Sequence, residues 1–287
     1  MKIFKYFIIS IVIALTMTSA FPQATGNPES MTLQSNDKNA GTELLKKSAD
    51  IISTRLKLLG FSTFEVTVSA EKKQIRIQLP VNTDIAEIEG LVTANGELSF
   101  YETYTHDEIA QLLKPDNQLF KLLKSDQLKG SADPRVGCAN SEQRKKTEEY
   151  LNTGIHMDKC KLFWGSKSEN SEYCLFALRT NEDGKPLMTR SDVDSVNIIN
   201  GNDPQDRRIQ IKLKNEAIRL FADATKKNLN RSIAIVIDNK VYSWPVVKSI
   251  IKGGKIEVSG SFTEKEVKYF PALFNSEKLP LSLTLLK

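Results

Sequence analysis

The chain has 287 residues, 40% of them hydrophobic, enough to bury a substantial core in one or two domains. Lys and Arg number 40 against 35 Asp and Glu, so the formal net charge is a mild +5. This argues against a nucleic-acid binder: the densest basic stretch, Arg207, Arg208, Lys212, Lys214 and Arg219, falls on an alternating strand and the helix after it and reads as a solvated face.

Lys2 and Lys5 precede an apolar run from Tyr6 to Met17, and the small residues Thr18, Ser19 and Ala20 follow it. This is the layout of a secretory signal peptide. The run is shorter than the roughly 18–20 residues that cross a bilayer comfortably. Residues 1–20 are therefore expected to be a signal, with the exported chain starting near Phe21; left uncleaved, the same segment would be a membrane anchor. Residues 21–41, rich in Pro, Gly, Ser, Asn and Gln, read as a flexible linker.

Leu45, Ala49, Ile52, Leu56 and Leu59 recur at helical steps, and Gly60 ends that helix. Phe64, Val66 and Val68, then Ile75, Ile77 and Leu79, alternate as two half-buried strands around the charged turn at Glu71 to Lys73. Asp84 and Glu87 cap a helix through Leu91, and Leu98 to Glu102 is a further strand. A helical stretch runs from His106 to about Leu123, Asp133, Pro134 and Gly137 signal a loop, and Ser141 to Leu151 is a charged helix. Tyr173 to Arg179 is a strand; Ile209, Ile211 and Leu213 form another; Ala217 to Ala224 is a helix; Ile233 to Ile237 is a strand suited to a sheet interior. Asp238 to Lys240 turns into Val241 and Tyr242. Ile256 and Val258 make a strand, Thr263 and Glu266 cap a helix that Pro271 should end or bend, and Leu281, Leu283 and Leu285 form the last strand. The two ends thus share one α/β sandwich, with the middle of the chain inserted.

Three cysteines, Cys138, Cys160 and Cys174, allow one disulfide and one leftover thiol in an oxidising compartment, and the spacing does not select the pair. Their wide spacing, with His156 the nearest histidine, does not make a metal site. His106 and His156 are the only histidines and neither sits in a nucleophile motif. Asp107, Glu108, Asp192 and Asp194 read as helix starts and loops, and Gly253-Gly254 as a hairpin turn rather than a phosphate loop. No catalytic, metal or cofactor site is expected. The notable surface is aromatic. Tyr242 and Trp244 alternate on one side of a strand ahead of Pro245, and Phe163-Trp164 form a second pair. These rings either accept an extended peptide by strand addition at a sheet edge or pack into the core.

Ser232 to Pro245 (SIAIVIDNKVYSWP), Gly253 to Thr263 (GGKIEVSGSFT) and Leu279-Pro280 occur in that order, as do Ile51 to Gly60, Ile75 to Pro80 and Gly96 to Phe100 upstream. Together they resemble the first periplasmic (P1) domain, base plus head, of the SecD/SecDF protein-export family, over about residues 41–287. Ser99 to Tyr104, Val136-Gly137 and Phe163 to Gly165 resemble parts of a longer insertion in some fused SecDF proteins. The resemblance implies an extracytoplasmic head that holds or guides an emerging polypeptide while proton flow through the membrane part drives movement. There are departures: Arg190 and Val81 stand where the family pattern has glycine, Trp244 replaces a small residue, and the chain ends at Lys287, where the family continues into membrane helices.

The expected fold is therefore α+β, a ferredoxin-like α/β sandwich base interrupted by an inserted α+β head. Its expected bounds are base 42–103, head 104–252 with an extra insertion, and base again 253–287, without the transmembrane motor. The expected function is binding of unfolded or exported polypeptides through Tyr242, Trp244, Phe163 and Trp164, in the periplasm or outside the cell. The rival is a scaffold that docks on Sec translocon subunits and holds no client. No nucleic acid is expected as a partner, and a membrane only indirectly or through an uncleaved N-terminal segment.

Overall fold

A computed structural model describes residues 28–286, apart from 114–116, 126–127, 129–131, 154–156, 166–170, 201–206 and 260–263. The signal segment, His156 and Thr263 lie outside the described residues. In chain order the first elements are β1 (Glu29–Ser35), α1 (Thr42–Leu58), β2 (Glu65–Ser69), β3 (Gln74–Leu79), α2 (Ile85–Thr93) and β4 (Leu98–Glu102). Then come α3 (His106–Leu113), α4 (Gln118–Leu122), β5 (Arg135–Ala139), α5 (Ser141–Leu151), β6 (Cys160–Trp164), β7 (Tyr173–Arg179) and β8 (Met188–Thr189). The last are β9 (Val193–Asn200), β10 (Arg207–Leu213), α6 (Asn215–Lys227), β11 (Ile233–Ile237), β12 (Lys240–Ser243), β13 (Lys255–Ser259), α7 (Glu264–Phe274) and β14 (Leu283–Leu285).

The two ends of the chain meet in an antiparallel sheet of order β14-β1-β3-β2. With α1 between β1 and β2 and α2 after β3, this is the ferredoxin-like β-α-β-β-α-β arrangement, closed by β14. Its core is Met31, Leu33, Leu45, Ile52, Leu56, Ile75, Ile77 and Leu283, all buried between the sheet and its helices. Gly60, at φ +101°, ends the path out of α1, and the Asp84 carboxylate accepts from Ala86 N at the start of α2.

Three expectations change here. Residues 21–41 do not form one tether, because Glu29–Ser35 is an inner strand: Met31 and Leu33 point into the core while Thr32 and Gln34 face away. Nor do Leu98–Glu102 and Lys255–Ser259 join the base sheet. Leu98, Ser99, Phe100 and Tyr101 are all buried, so β4 needs cover on both faces; it lies in the sheet β12-β11-β4-β8. β13 pairs with β10 in the sheet β13-β10-β9. Gly253-Gly254 accordingly leads into β13 beside β10 and is not a hairpin turn.

One face of the β4–β11 sheet, with Leu98, Phe100, Ile233 and Ile235, packs with β9, β10, β13, α6 and α7 around Ile211, Phe221, Val258 and Phe270. The opposite face, with Tyr101, Ala234 and Val236, packs on Phe176 and Leu178 of β7. β7 is the centre of a small sheet, β5-β7-β6, with Val136, Leu175 and Ala177 packed against α3 and α4. The loop expected around Asp133 to Gly137 is thus β5 from Arg135 onward, where Val136, Gly137 and Ala139 are buried. A disulfide joins Cys138 to the facing Cys174, and Cys160 keeps a free thiol. α7 runs through Pro271 to Phe274 without ending there. At its end the Asn275 amide bonds both the N–H and the C=O of Val196, occupying the outer side of β9 at that point.

Candidate functional site

The β11–β12 hairpin turns at Asp238 and Asn239, both at positive φ, which suits these two residue types. Its register slips between Ile235 and Val236: Ser243 faces Ile235, Val241 faces Val236, and Tyr242 is the extra residue. Such a bulge breaks strand alternation. Tyr242 and Trp244 therefore do not share a side, contrary to the expected pairing. Tyr242 packs edge-on against Phe270 at 4.9 Å, and its hydroxyl donates to Glu266 Oε1 at 2.7 Å. Burial, and then the Glu266 carboxylate, push its phenol far above the ordinary tyrosine range. Trp244 turns the other way, 4.6 Å from Phe176. The outer edge of β12 is not bare either, since Gly165 bridges to Val241.

Phe163 and Trp164 are successive residues of β6 and point to opposite sides. Phe163 lies 5.6 Å from Tyr101, in the same cluster as Trp244. Trp164 packs toward the α3–α4 side, with the Arg144 guanidinium 5.3 Å from its ring centre. All four expected residues are half-buried. Two of them, Phe163 and Trp244, come together; Tyr242 and Trp164 lie elsewhere.

Phe163 also lines a cleft of about 240 Å³ whose floor is Ser99, Tyr101 and Val236 and whose walls are Lys161, Lys185, Pro186, Thr189 and the Asp238–Asn239 turn. Its carboxylates are engaged. Asp238 accepts from Glu97 N at 2.8 Å and Gly96 N at 3.3 Å, and Glu97 pairs with Lys278. Burial, with Glu97 nearby, raises the Tyr101 phenol above its ordinary value, so it stays a neutral donor and acceptor. The cleft thus presents an aromatic edge, hydroxyls, an amide and two rim lysines. Tyr101 escaped sequence reading because its strand was placed in the base sheet, although four successive buried positions in Leu98–Tyr101 mark an interior strand.

The remaining ionisable candidates have structural partners. His106 is buried with Nδ1 3.1 Å from Arg135 O. Asp192 Oδ2 accepts from Thr189 N at 2.8 Å, and Asp194 pairs with Lys212 at 2.8 Å. Glu108 pairs with Arg179 at 2.9 Å and Arg231 at 2.7 Å. Burial pushes the Cys160 thiol up to about 12. Among the described residues no three His, Cys, Asp or Glu side chains gather as metal ligands would.

The family model described as the SecDF P1 head subdomain matches residues 176–281. Protein translocase subunit SecDF of Brucella abortus biovar 1 is 24% identical over 253 residues, 87% of this chain and 27% of that protein. The chain is thus similar to the SecDF P1 head over residues 176–281 and to SecDF over most of its length. SecD of Calditerrivibrio nitroreducens is 35% identical over 79 residues, 28% of this chain and 15% of the relative. SecD of Acidaminococcus fermentans is 30% identical over 111 residues, 35% of the chain and 27% of the relative. The matches thus span under a third of each of these relatives. The crystal structure of SecDF in its super-membrane-facing form shares the fold, with TM-score 0.54 and 18% identity, over 91% of this chain and 30% of that one. A second structure, of SecDF as a membrane component that enhances protein export, gives TM-score 0.52 and 18% identity over 90% of this chain and 98% of that one. No helix among the described residues is long and apolar enough to cross a membrane.

Proposed function

We propose that the chain is an extracytoplasmic module that holds unfolded, exported polypeptides as an accessory of protein export. In this reading the β14-β1-β3-β2 sheet with α1 and α2 is the base, the other sheets form the head, and residues 1–20 are a secretory signal. The observation that carries it is the Tyr101–Phe163 cleft, set in a head whose relatives are protein translocase subunits. A half-open cleft with an aromatic edge among hydroxyl, amide and ammonium groups binds extended segments largely through their backbone, without demanding one sequence. Phe163 makes this contact and Trp244 backs it from the shared apolar cluster; Tyr242 and Trp164 contribute by fixing the strands that carry them.

The test is photo-crosslinking from a benzophenone residue at position 163 to an unfolded exported protein. Phe163→Ser with Trp244→Ser should weaken client binding about tenfold or more while the thermal transition persists. Unchanged binding on an intact fold would overturn the cleft. Crosslinks confined to translocon subunits, with no client among them, would instead make the chain a docking scaffold.

A further inference from the structure

The opposite face of the β4–β11 sheet floors a second cleft, of about 230 Å³, for which no role has been assigned. Phe100, Ile233 and Ile235 line its base, Phe221 and Thr225 of α6 one wall, and Ile256 of β13 another. Its roof is an irregular strap, Pro245 to Ile251. The void exists because α6 covers only part of this apolar sheet face. The strap spans the rest without a regular run of inward side chains.

The strap is tied down at both ends. Pro245 O accepts from Ile233 N at 3.2 Å, Val247 O from Asn230 N at 2.9 Å, and Val247 N donates to Arg231 O at 2.9 Å. At the far end Ile251 N donates to Thr225 Oγ1 at 3.1 Å. Between these ties, Lys248, Ser249 and Ile250 make no hydrogen bond to any described residue. The polar wall groups are satisfied: Thr225 Oγ1 also donates to Ala222 O at 3.0 Å, and the Glu257 carboxylate accepts from Arg208 Nη1 at 2.9 Å. The interior thus asks a ligand for no hydrogen bond, while the strap offers backbone donors and acceptors beside the mouth. Val246, on the strap, is an apolar side chain left 43% exposed there.

We propose that this cleft is a socket for one large aliphatic or aromatic side chain of an extended exported polypeptide, whose backbone bonds the free stretch from Lys248 to Ile250. The proposal rests on the polypeptide-holding reading above and adds a site on the other face of the sheet. Size agrees: a cavity of about 150 Å³ already takes a benzene ring, so this one accepts a Leu or Phe side chain. Chemistry agrees as well. Isoleucine and phenylalanine walls give dispersion contacts, and buried water would find few partners among them. A ligand made only of apolar atoms, such as a detergent tail, would leave the strap's backbone groups unused. A polypeptide uses both.

Two peptides of Gly and Ser, one with a central Leu and one with Ala in its place, serve as probes on the exported chain with 13C-labelled Ile and Val methyls. The Leu peptide should shift the methyls of Ile233, Ile235, Ile251 and Ile256 and bind about tenfold or more tightly than the Ala peptide. Ser249→Trp, which fills the socket from the strap, should erase that preference while the methyl spectrum keeps its native dispersion. Leu220→Ser, on the exposed side of α6 and outside the cleft, is a second variant that should keep the preference. Binding that crosslinks at Phe163 but leaves these methyls unmoved overturns the socket and spares the holding reading. No binding at either face overturns both. Shifts that follow protein concentration without peptide mean that a second copy fills the cleft, and overturn the proposal too.

Discussion

Gly254 sits in a left-handed backbone conformation, tight against Ile218, where a side chain has no room. Its φ is +64°, and a Cβ there would lie 2.6 Å from Ile218 Cγ1. Its carbonyl accepts from Leu213 N at 2.8 Å, which starts the β10–β13 ladder. Gly253 has ordinary φ and open space around it. Gly254→Ala should therefore cost at least about 1–2 kcal/mol, from the left-handed backbone alone, with the clash added. Gly253→Ala should be close to neutral. Urea midpoints of the two variants check this, and equal midpoints would remove the claim. The glycine pair was visible in the sequence. Its reason was not, because Ile218 and Leu213 approach only after α6 and β10 have packed. Tyr242 and Trp244 fail the same way. Period-two reasoning puts them on one side, and a single bulge separates them.

Elements were easier to read than their partners. The helical spacing of Leu45, Ala49, Ile52 and Leu56 became α1, and the alternations at Val66 to Val68, Ile75 to Leu79 and Ile209 to Leu213 became β2, β3 and β10. β1 was missed because its seven residues sit in a Pro-, Ser- and Asn-rich stretch, where only Met31 and Leu33 mark a buried side. β5 was hidden behind Asp133-Pro134 and Gly137. What joins the elements is largely polar and long-range, so periodicity cannot show it. Glu108 of α3 is the clearest case, since it binds Arg179 of β7 and Arg231 just before β11. Arg179 in turn lies 3.8 Å over the Tyr104 ring. Burial alone would raise the Glu108 pKa, but hydrogen bonds from Arg231 and Thr105 N and the charges of both arginines hold it near 2, against an ordinary 4.5. A carboxyl held low contributes stability that is complete above about 4.5 and is lost as pH falls through 2. Glu108→Gln should thus be less stable than the parent at neutral pH, with the gap closing between pH 4.5 and 2. Urea midpoints across that range test it, and a gap independent of pH would point to packing rather than charge.

At the scale of the molecule, the sequence disclosed that both ends build one sandwich and that the middle is inserted; it did not disclose how base and head are held together. The chain leaves the base after α2 through Ala94 to Gly96 and returns after α7 through Ser276 to Leu279. Arg55, on α1 and fully buried, reaches both crossings. Its Nη1 donates to Leu91 O at 2.8 Å and Ala94 O at 2.6 Å, and its Nη2 to Asn95 O at 3.2 Å and Glu277 O at 3.3 Å. Nε donates to Ser276 Oγ at 3.0 Å. Burial draws the guanidinium pKa down to about 10, with Asp238 opposing and Arg190 adding to the shift, so the group is still charged at neutral pH. Neutral carbonyls and one hydroxyl thus solvate a buried cation, and that cation ties two chain crossings to one base helix. Arg55→Met would take the donor from Leu91 O, Ala94 O and Ser276 Oγ, at about 1–3 kcal/mol for each one that water cannot reach, whereas Asn95 O keeps its bond from Leu279 N at 2.9 Å. A total loss of about 3 kcal/mol or more should follow, along with loss of cooperativity between the two parts. Both tryptophans, Trp164 and Trp244, lie outside the base sheet, so their fluorescence reports the head, while amide exchange in β1 and β3 reports the base. In the parent the two should fade at one urea concentration. In Arg55→Met the base amides should open first, and Arg55→Lys, with three donors instead of five, should fall between. If the two signals in Arg55→Met still fade together, the crossings are held by apolar packing and Arg55 is not the clamp.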